Sequence, residues 1–164
     1  MDEMIEQYYG GYNLYIYKDK LELSTNVSNF IENEIVQTLK IKDKFQFCVS
    51  GGSTPKSVYQ LLSERDIEWE KVDIFLGDER CVDPKSEFSN SLMLKNSLLS
   101  KYGNKAFFYE IFSDKKVDDK IYKNLLISKL NEKCNGKLPS FDLTLLGLGA
   151  VSYTHLTLPT IYSV

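Results

Sequence analysis

The feature that most constrains the fold of this chain is residues 45–56, where an apolar run passes directly into a glycine-rich turn. Phe45–Val49 has the pattern of a buried strand, Ser50–Gly52 forms the turn, and Pro55 suits the first position of a helix. Glycine lets successive backbone N–H groups approach one anion, and a helix that begins here adds its positive end. Taken alone, this stretch is equally typical of an anion pocket and of an ordinary capped turn.

A second apolar run ends in a cluster of charges. Val72–Leu76 has the pattern of a buried strand, and Gly77–Arg80 follows it at once. In open α/β sheets, ligands bind beyond the carboxyl ends of the strands, so two polar strand ends suggest one shared cleft. Arg80 could clamp a phosphate or carboxylate, while Asp78 and Glu79 could orient it or bind sugar hydroxyls. The alternative is a solvated turn in which these charges contribute little.

Strands and helices alternate along the rest of the chain. Ser89 or Asn90 is expected to cap a helix that runs toward Leu99. The other predicted strands are Tyr12–Tyr17, Ala106–Ile111 and Phe141–Leu146, and the other predicted helices cover about 23–39, 55–62 and 117–130. This alternation predicts an α/β fold with three layers, in which helices cover both faces of a mostly parallel, Rossmann-like sheet.

Composition excludes several classes of protein. A chain of 164 residues with 43% hydrophobic side chains can form one domain with a core, and its net charge of −3 does not favour nucleic-acid binding. No apolar run reaches the length of a membrane span, and the acidic start lacks the positive region of a signal peptide, so we expect a cytoplasmic protein. Cys48, Cys81 and Cys134 lack the spacing of a zinc site and are expected to be reduced thiols.

Four separated motifs together resemble the 6-phosphogluconolactonases of the glucosamine-6-phosphate isomerase/6-phosphogluconolactonase family, in order and in spacing. They are Ser50–Pro55, Gly77–Val82, Ser89–Asn90 and Phe141–Gly149. Agreement at four places is far more specific than any one glycine-rich turn. The related glucosamine-6-phosphate deaminases usually carry Tyr after the Asp-Glu pair, and Arg80 at this position favours the lactonases.

The resemblance implies a sugar-phosphate isomerase-like fold and an ester hydrolase. The implied reaction is hydrolysis of 6-phospho-D-glucono-1,5-lactone to 6-phosphogluconate in the oxidative pentose phosphate pathway, with no metal or organic cofactor. It also suggests fusion to, or association with, glucose-6-phosphate dehydrogenase. Two alternatives stay open, which are a deaminase-like sugar-phosphate isomerase and an inactive fragment that binds sugar phosphates.

The resemblance also assigns roles to residues of the four motifs. The implied phosphate-binding residues are Gly51, Gly52, Ser53, Thr54 and Arg80, of which the last could instead face the developing oxyanion. The implied supporting residues are Asp78, Glu79, Ser89, Asn90, Gly147 and Gly149.

The family pattern is lost immediately after Gly149, where lactonases carry Asp-Gly-His. This chain has Val151, Ser152 and Tyr153 at those three positions. The family's histidine is the expected general base, because an imidazole titrates near neutral pH and a tyrosine does not. His155, the only histidine, is therefore the candidate base. It lies two positions late, an offset of roughly 6–7 Å in extended chain, and we expect impaired catalysis.

The same departure suggests a boundary in the chain. Lactonases of this family continue with further strands and helices. We therefore expect residues 1–149 to be the N-terminal portion of the family domain, incomplete at its C-terminus. Residues 150–164 are expected to be a non-family tail, foreign to the gene. The transcript across codons 147–164 tests this hypothesis.

Overall fold

The computed structural model describes residues 5–9, 12–111, 119–131 and 140–147. Within these residues the strands are β1 Ile5–Tyr9, β2 Tyr12–Ile16, β3 Phe45–Val49, β4 Val72–Leu76, β5 Phe107–Tyr109 and β6 Leu143–Thr144. The α-helices are α1 Lys20–Leu39, α2 Ser53–Leu62, α3 Asn90–Lys95 and α4 Asp119–Asn131. Short 3₁₀ turns cover Trp69–Lys71 and Tyr102–Lys105.

Four of the strands form a parallel sheet in the order β5-β4-β3-β6. β3 and β4 pair along their whole length, from Phe45 opposite Val72 to Val49 opposite Leu76. All five residues of β4 are buried, which explains why this strand is an uninterrupted apolar run apart from Asp73. The parallel α/β sheet predicted from the sequence is confirmed.

Helices cover both faces of this sheet. On one face, α1 and α2 pack against alternate residues of β3 and β4, and this core comprises Ile31, Ile35, Phe45, Phe47, Val49, Val58, Tyr59, Leu62, Val72, Ile74 and Leu76 with their neighbours. On the other face, Phe75 stacks on Tyr109 with ring centroids 4.8 Å apart. Helix α4 reaches this face, because Lys129 Nζ lies over the Tyr109 ring, 5.8 Å from its centroid. In the part of the chain that the structure describes, no helix is both long and apolar enough to cross a membrane.

Four predicted elements differ in detail. The strand predicted at Ala106–Ile111 is reduced to the three residues of β5. The strand predicted at Tyr12–Tyr17 is present as β2, but it pairs antiparallel with β1, which the sequence analysis missed, in a separate two-stranded sheet. The helix predicted to reach Leu99 ends at Lys95, and the Ser97 hydroxyl that follows bonds the Met93 carbonyl. The strand predicted at Phe141–Leu146 is reduced to the two residues of β6.

Trp69 anchors the edge of the sheet at which β4 begins. It is the single tryptophan of the chain, and its side chain is 1% exposed. Its indole Nε1 donates to the Arg65 carbonyl at 3.1 Å, so the buried N–H group is satisfied. Trp69 is therefore a packing residue.

Candidate functional site

Two loops meet at the carboxyl edge of the parallel sheet. We call residues 50–52, which follow β3, the glycine loop, and residues 77–89, which follow β4, the Arg80 loop. Gly77 N donates to the Val49 carbonyl at 2.9 Å, so the two loops begin next to each other at the ends of β3 and β4. The segment after β6 reaches this edge as well, because a Cβ on Gly147 would lie 4.0 Å from Pro55 Cγ.

The glycine loop leads into helix α2 through a backbone conformation that favours glycine. Gly52 has φ 113° and stands at the N-cap position, with Ser53 as the first residue of the helix. Gly52 has no side chain with which to cap α2, and Ser53 and Thr54 are exposed. The first turn of α2 can therefore direct backbone N–H groups and two hydroxyls toward an anion.

A buried tyrosine holds the glycine loop in place. The Tyr59 hydroxyl donates to the Ser50 carbonyl at 2.9 Å and accepts from Ser50 N at 3.2 Å. Burial raises the pKa of Tyr59 more than the bonds to Ser50 lower it, so this hydroxyl is neutral at physiological pH. Tyr59 was not among the site residues predicted from the sequence. The available signal was a polar-tipped aromatic on the buried face of α2, which needs a hydrogen-bond partner.

The Arg80 loop is organised by the carboxylate of Glu79. Oε1 accepts from Asn90 N at 2.7 Å and from Arg80 N at 2.8 Å. Oε2 accepts from Ser91 N at 2.8 Å and from the Ser89 hydroxyl at 3.3 Å. One side chain thus ties the beginning of the loop to its end. These contacts order the turn that carries Arg80.

The electrostatics of Glu79 agree with this role. Desolvation raises the pKa of Glu79, but hydrogen bonds from Ser91, Arg80 and Asn90 together outweigh it and hold the pKa below its ordinary value. The carboxylate is therefore ionised at neutral pH, which strengthens each of the hydrogen bonds that it accepts.

Helix α3 starts directly against this loop. Ser89 is its N-cap, and the Ser89 hydroxyl accepts from Leu92 N at 3.1 Å, as the sequence predicts. Asn90 is 6% exposed, and its Nδ2 donates to the Asp78 carbonyl at 3.0 Å. The same amide packs on Gly51, where an added Cβ would lie 1.9 Å from Asn90 Oδ1. Asn90 therefore contacts both loops.

The charged groups at this edge are exposed. Arg80 Nε lies 3.7 Å from Asp78 Oδ2, and the two side chains are 65% and 59% exposed. An ion pair so open to water is weak, and the guanidinium can turn toward a ligand. A further cation lies nearby, since Lys20 at the start of α1 donates from Nζ to the Ser53 carbonyl at 3.0 Å. The sequence analysis missed Lys20, which is 33 residues away from its partner.

The remaining candidates fall into two groups. Gly149, His155 and Cys134 lie outside the described residues. Cys48 is buried, and burial raises the pKa of its thiol, which is typical of a packing residue. Across the described ranges, no group of three or more His, Cys, Asp or Glu side chains is close enough to hold a metal ion.

The chain matches a known protein family over most of its length. The family described as glucosamine-6-phosphate isomerases/6-phosphogluconolactonase matches residues 18–154. The chain belongs to this family. The match includes both loops, helix α3 and the segment after β6.

Curated members of the family align with most of this chain. It is 29% identical over 144 residues to the 6-phosphogluconolactonase of Xylella fastidiosa, an alignment that covers 87% of this chain and 57% of that protein. It is 28% identical over 145 residues to the 6-phosphogluconolactonase of a Nostoc species, with 86% and 60% covered. The chain thus spans a little over half the length of these relatives.

Solved structures of the family have the same fold. The 6-phosphogluconolactonase of Shewanella baltica superposes with a TM-score of 0.67 at 28% identity, covering 81% of this chain and 55% of that one. The enzyme of Trypanosoma brucei gives a TM-score of 0.66 at 27% identity, covering 82% and 58%.

Proposed function

We propose that this chain binds 6-phosphogluconolactone and takes part in its hydrolysis to 6-phosphogluconate. The relatives cited above are named for this activity. The observation that carries the proposal is the meeting of the glycine loop with the Arg80 loop at one edge, joined by Asn90. That edge offers backbone N–H groups and a guanidinium to one anionic group.

In this proposal the phosphate is bound by the start of α2. Gly51 and Gly52 supply close backbone approach, and Ser53 and Thr54 add hydroxyl donors. Arg80 supplies positive charge to the phosphate or to the oxyanion that forms on the lactone carbonyl. Binding the remote phosphate orients the lactone against the attacking water, so it contributes to rate as well as to affinity.

The hydrolytic step needs a base. The base removes a proton from water, the resulting oxygen adds to the lactone carbonyl, and the tetrahedral oxyanion collapses with cleavage of the ring C–O bond. The departing ring oxygen then takes up the proton. In this proposal His155 is the base, since Tyr153 stands at the family's histidine position and titrates too high. Because His155 is two positions late, hydrolysis is slow compared with full-length relatives.

Titration of the 164-residue chain with 6-phosphogluconate tests the binding part. We expect saturable binding by calorimetry and a rise in melting temperature, with at least a tenfold loss of affinity in Arg80→Ala. Lys85→Ala is the matched control, because Lys85 is an exposed cation of the same loop. Absence of binding to the folded wild-type chain would contradict the proposal.

Lactone hydrolysis tests the catalytic part. We expect a rate well below that of the Shewanella baltica enzyme under the same conditions, and a further loss in His155→Ala. A normal enzymatic rate that His155→Ala leaves unchanged would refute the assignment of the base. Ammonia release from glucosamine 6-phosphate serves as the assay for the deaminase alternative, and we expect none.

Three finer points are also part of the proposal. We propose a cytoplasmic location. We propose that residues 150–164 are a non-family tail, of which residues 150–154 fall within the range that the family model matches. Association with glucose-6-phosphate dehydrogenase is proposed from the resemblance alone, and co-purification of the two proteins tests it.

A further inference from the structure

The side chain of Asn90 occupies the space between the two loops of the candidate site. Its amide lies where a side chain of residue 51 would begin, since an added Cβ on Gly51 would be 1.9 Å from Oδ1 and 2.5 Å from Cγ. On the other side, Nδ2 donates to the Asp78 carbonyl at 3.0 Å. A single buried amide therefore contacts both loops.

The backbone of Asn90 is fixed independently of this amide. Asn90 N donates to Glu79 Oε1, and the same oxygen accepts from Arg80 N. Asn90 is thus tied to residue 78 through its side chain and to residues 79 and 80 through the Glu79 carboxylate. Because Asn90 is 6% exposed, its hydrogen bonds face little competition from water.

We propose that Asn90 is a positioning residue that locks the glycine loop to the Arg80 loop. We call the contact set Gly51, Asn90 and Asp78 the Asn90 lock. The lock holds the N–H groups at the start of α2 and the Arg80 guanidinium at a constant spacing, matched to one phosphate ester. This inference rests on the proposed function, and it adds the residue that determines the geometry of the site.

The lock explains the residue types at positions 51 and 90. Gly51 does not have the positive φ of Gly52, so its backbone conformation is open to alanine. The three atoms nearest to an added Cβ all belong to the Asn90 amide, which therefore excludes a side chain at position 51. Aspartate at position 90 would keep the shape but lose the N–H donor. It would also bring a negative charge close to the Asp78 carbonyl and the Glu79 carboxylate.

A double-mutant cycle tests the lock in the full chain, with 6-phosphogluconate affinity and melting temperature measured for each variant. We expect Gly51→Ala to weaken binding at least tenfold and Asn90→Ala about three- to tenfold. In the double variant the new methyl group has room, so its affinity equals that of Asn90→Ala within about twofold. If Gly51→Ala alone does not fold and the double variant does, this rescue of folding also supports the lock.

Two further variants separate the components of the lock. Asn90→Asp is expected to weaken binding at least as much as Asn90→Ala, because it removes the donor to the Asp78 carbonyl and also places a negative charge beside that carbonyl. Gly52→Ala is the control for rescue: its cost comes from φ 113°, and Asn90→Ala cannot relieve that strain. Affinities are compared well below each melting temperature, so that unfolding does not contribute.

The outcomes distinguish the inference from the function on which it rests. If wild type binds and Asn90→Ala binds equally well, or if the Gly51→Ala and Asn90→Ala effects simply add, the lock is overturned and the proposed function stands. If folded wild type does not bind 6-phosphogluconate, the proposed function fails and the positioning role fails with it.

Discussion

The glycine loop and the Arg80 loop leave neighbouring strands at the same edge, yet different chemistry holds each of them. The glycine loop is short, and the neutral hydroxyl of Tyr59 satisfies both backbone groups of Ser50. The Arg80 loop is longer, and the Glu79 carboxylate gathers donors from its start and from its end. The longer loop presents several N–H and O–H donors, and an ionised carboxylate can accept hydrogen bonds from all of them.

The largest expected effect comes from removing the carboxylate that holds the longer loop. Glu79→Ala leaves the N–H groups of Arg80, Asn90 and Ser91 without their acceptor, and we expect a loss of about 2–4 kcal/mol in the free energy of unfolding. Denaturant unfolding measures it. Asp78→Ala, an exposed neighbour, should cost less than about 0.5 kcal/mol. Equal losses in the two variants would show that Glu79 has no special role.

A smaller loss is expected when the hydroxyl that holds the shorter loop is removed. Tyr59→Phe leaves Ser50 N and the Ser50 carbonyl unpaired, and we expect a loss of about 1–2 kcal/mol. The packing of the ring is kept, so the effect isolates the hydroxyl. Tyr102→Phe serves as the control, because Tyr102 is 55% exposed. A loss in Tyr59→Phe no greater than in this control would contradict the proposed anchoring of Ser50.

The smallest effect is the pH dependence that distinguishes the two loops. The pKa of Glu79 is lowered in the folded state, so its contribution to stability is present above the unfolded value of about 4.3 and is lost as pH falls through the lowered pKa. The melting-temperature difference between wild type and Glu79→Gln should therefore shrink between pH 6 and pH 3.

The tyrosine provides the contrast in the same experiment. Burial raises the pKa of Tyr59, so its hydroxyl stays neutral throughout this range. The difference between wild type and Tyr59→Phe should be constant over the same pH interval. If the melting-temperature difference from wild type shrank for Tyr59→Phe and stayed constant for Glu79→Gln, the assignment of an ionised group to one loop and a neutral group to the other would be wrong.

The parts of the fold that are local in sequence were predictable. Phe45–Val49 and Val72–Leu76 were predicted with the boundaries that the structure has, since each is an apolar run that ends at a polar or glycine residue. Strand β1 was missed, although the Gly10–Gly11 pair between two aromatic runs is a hairpin signal. The helix predicted from Ser89 was too long, because the serines after it bond to the backbone and favour turns.

The contacts that organise the candidate site were not predictable in the same way. The motifs single out Gly51 and Asn90 separately, and the two residues are 39 positions apart in the chain. No local sequence pattern indicates that the Asn90 side chain fills the space beside Gly51. The role of Tyr59 likewise depends on where helix α2 docks. Periodicity predicts which face of a helix is buried, whereas partners across a sheet edge follow from the packing of whole elements.

Trp69 makes this chain convenient for optical study. The only indole lies 1% exposed at the end of the sheet opposite the two loops, so its fluorescence responds to collapse of the core and is insensitive to what occurs at the loops. An extrinsic dye on the exposed thiol of Cys81, within the Arg80 loop, would supply the complementary signal. Together the two fluorophores would separate melting of the whole domain from opening of its edge.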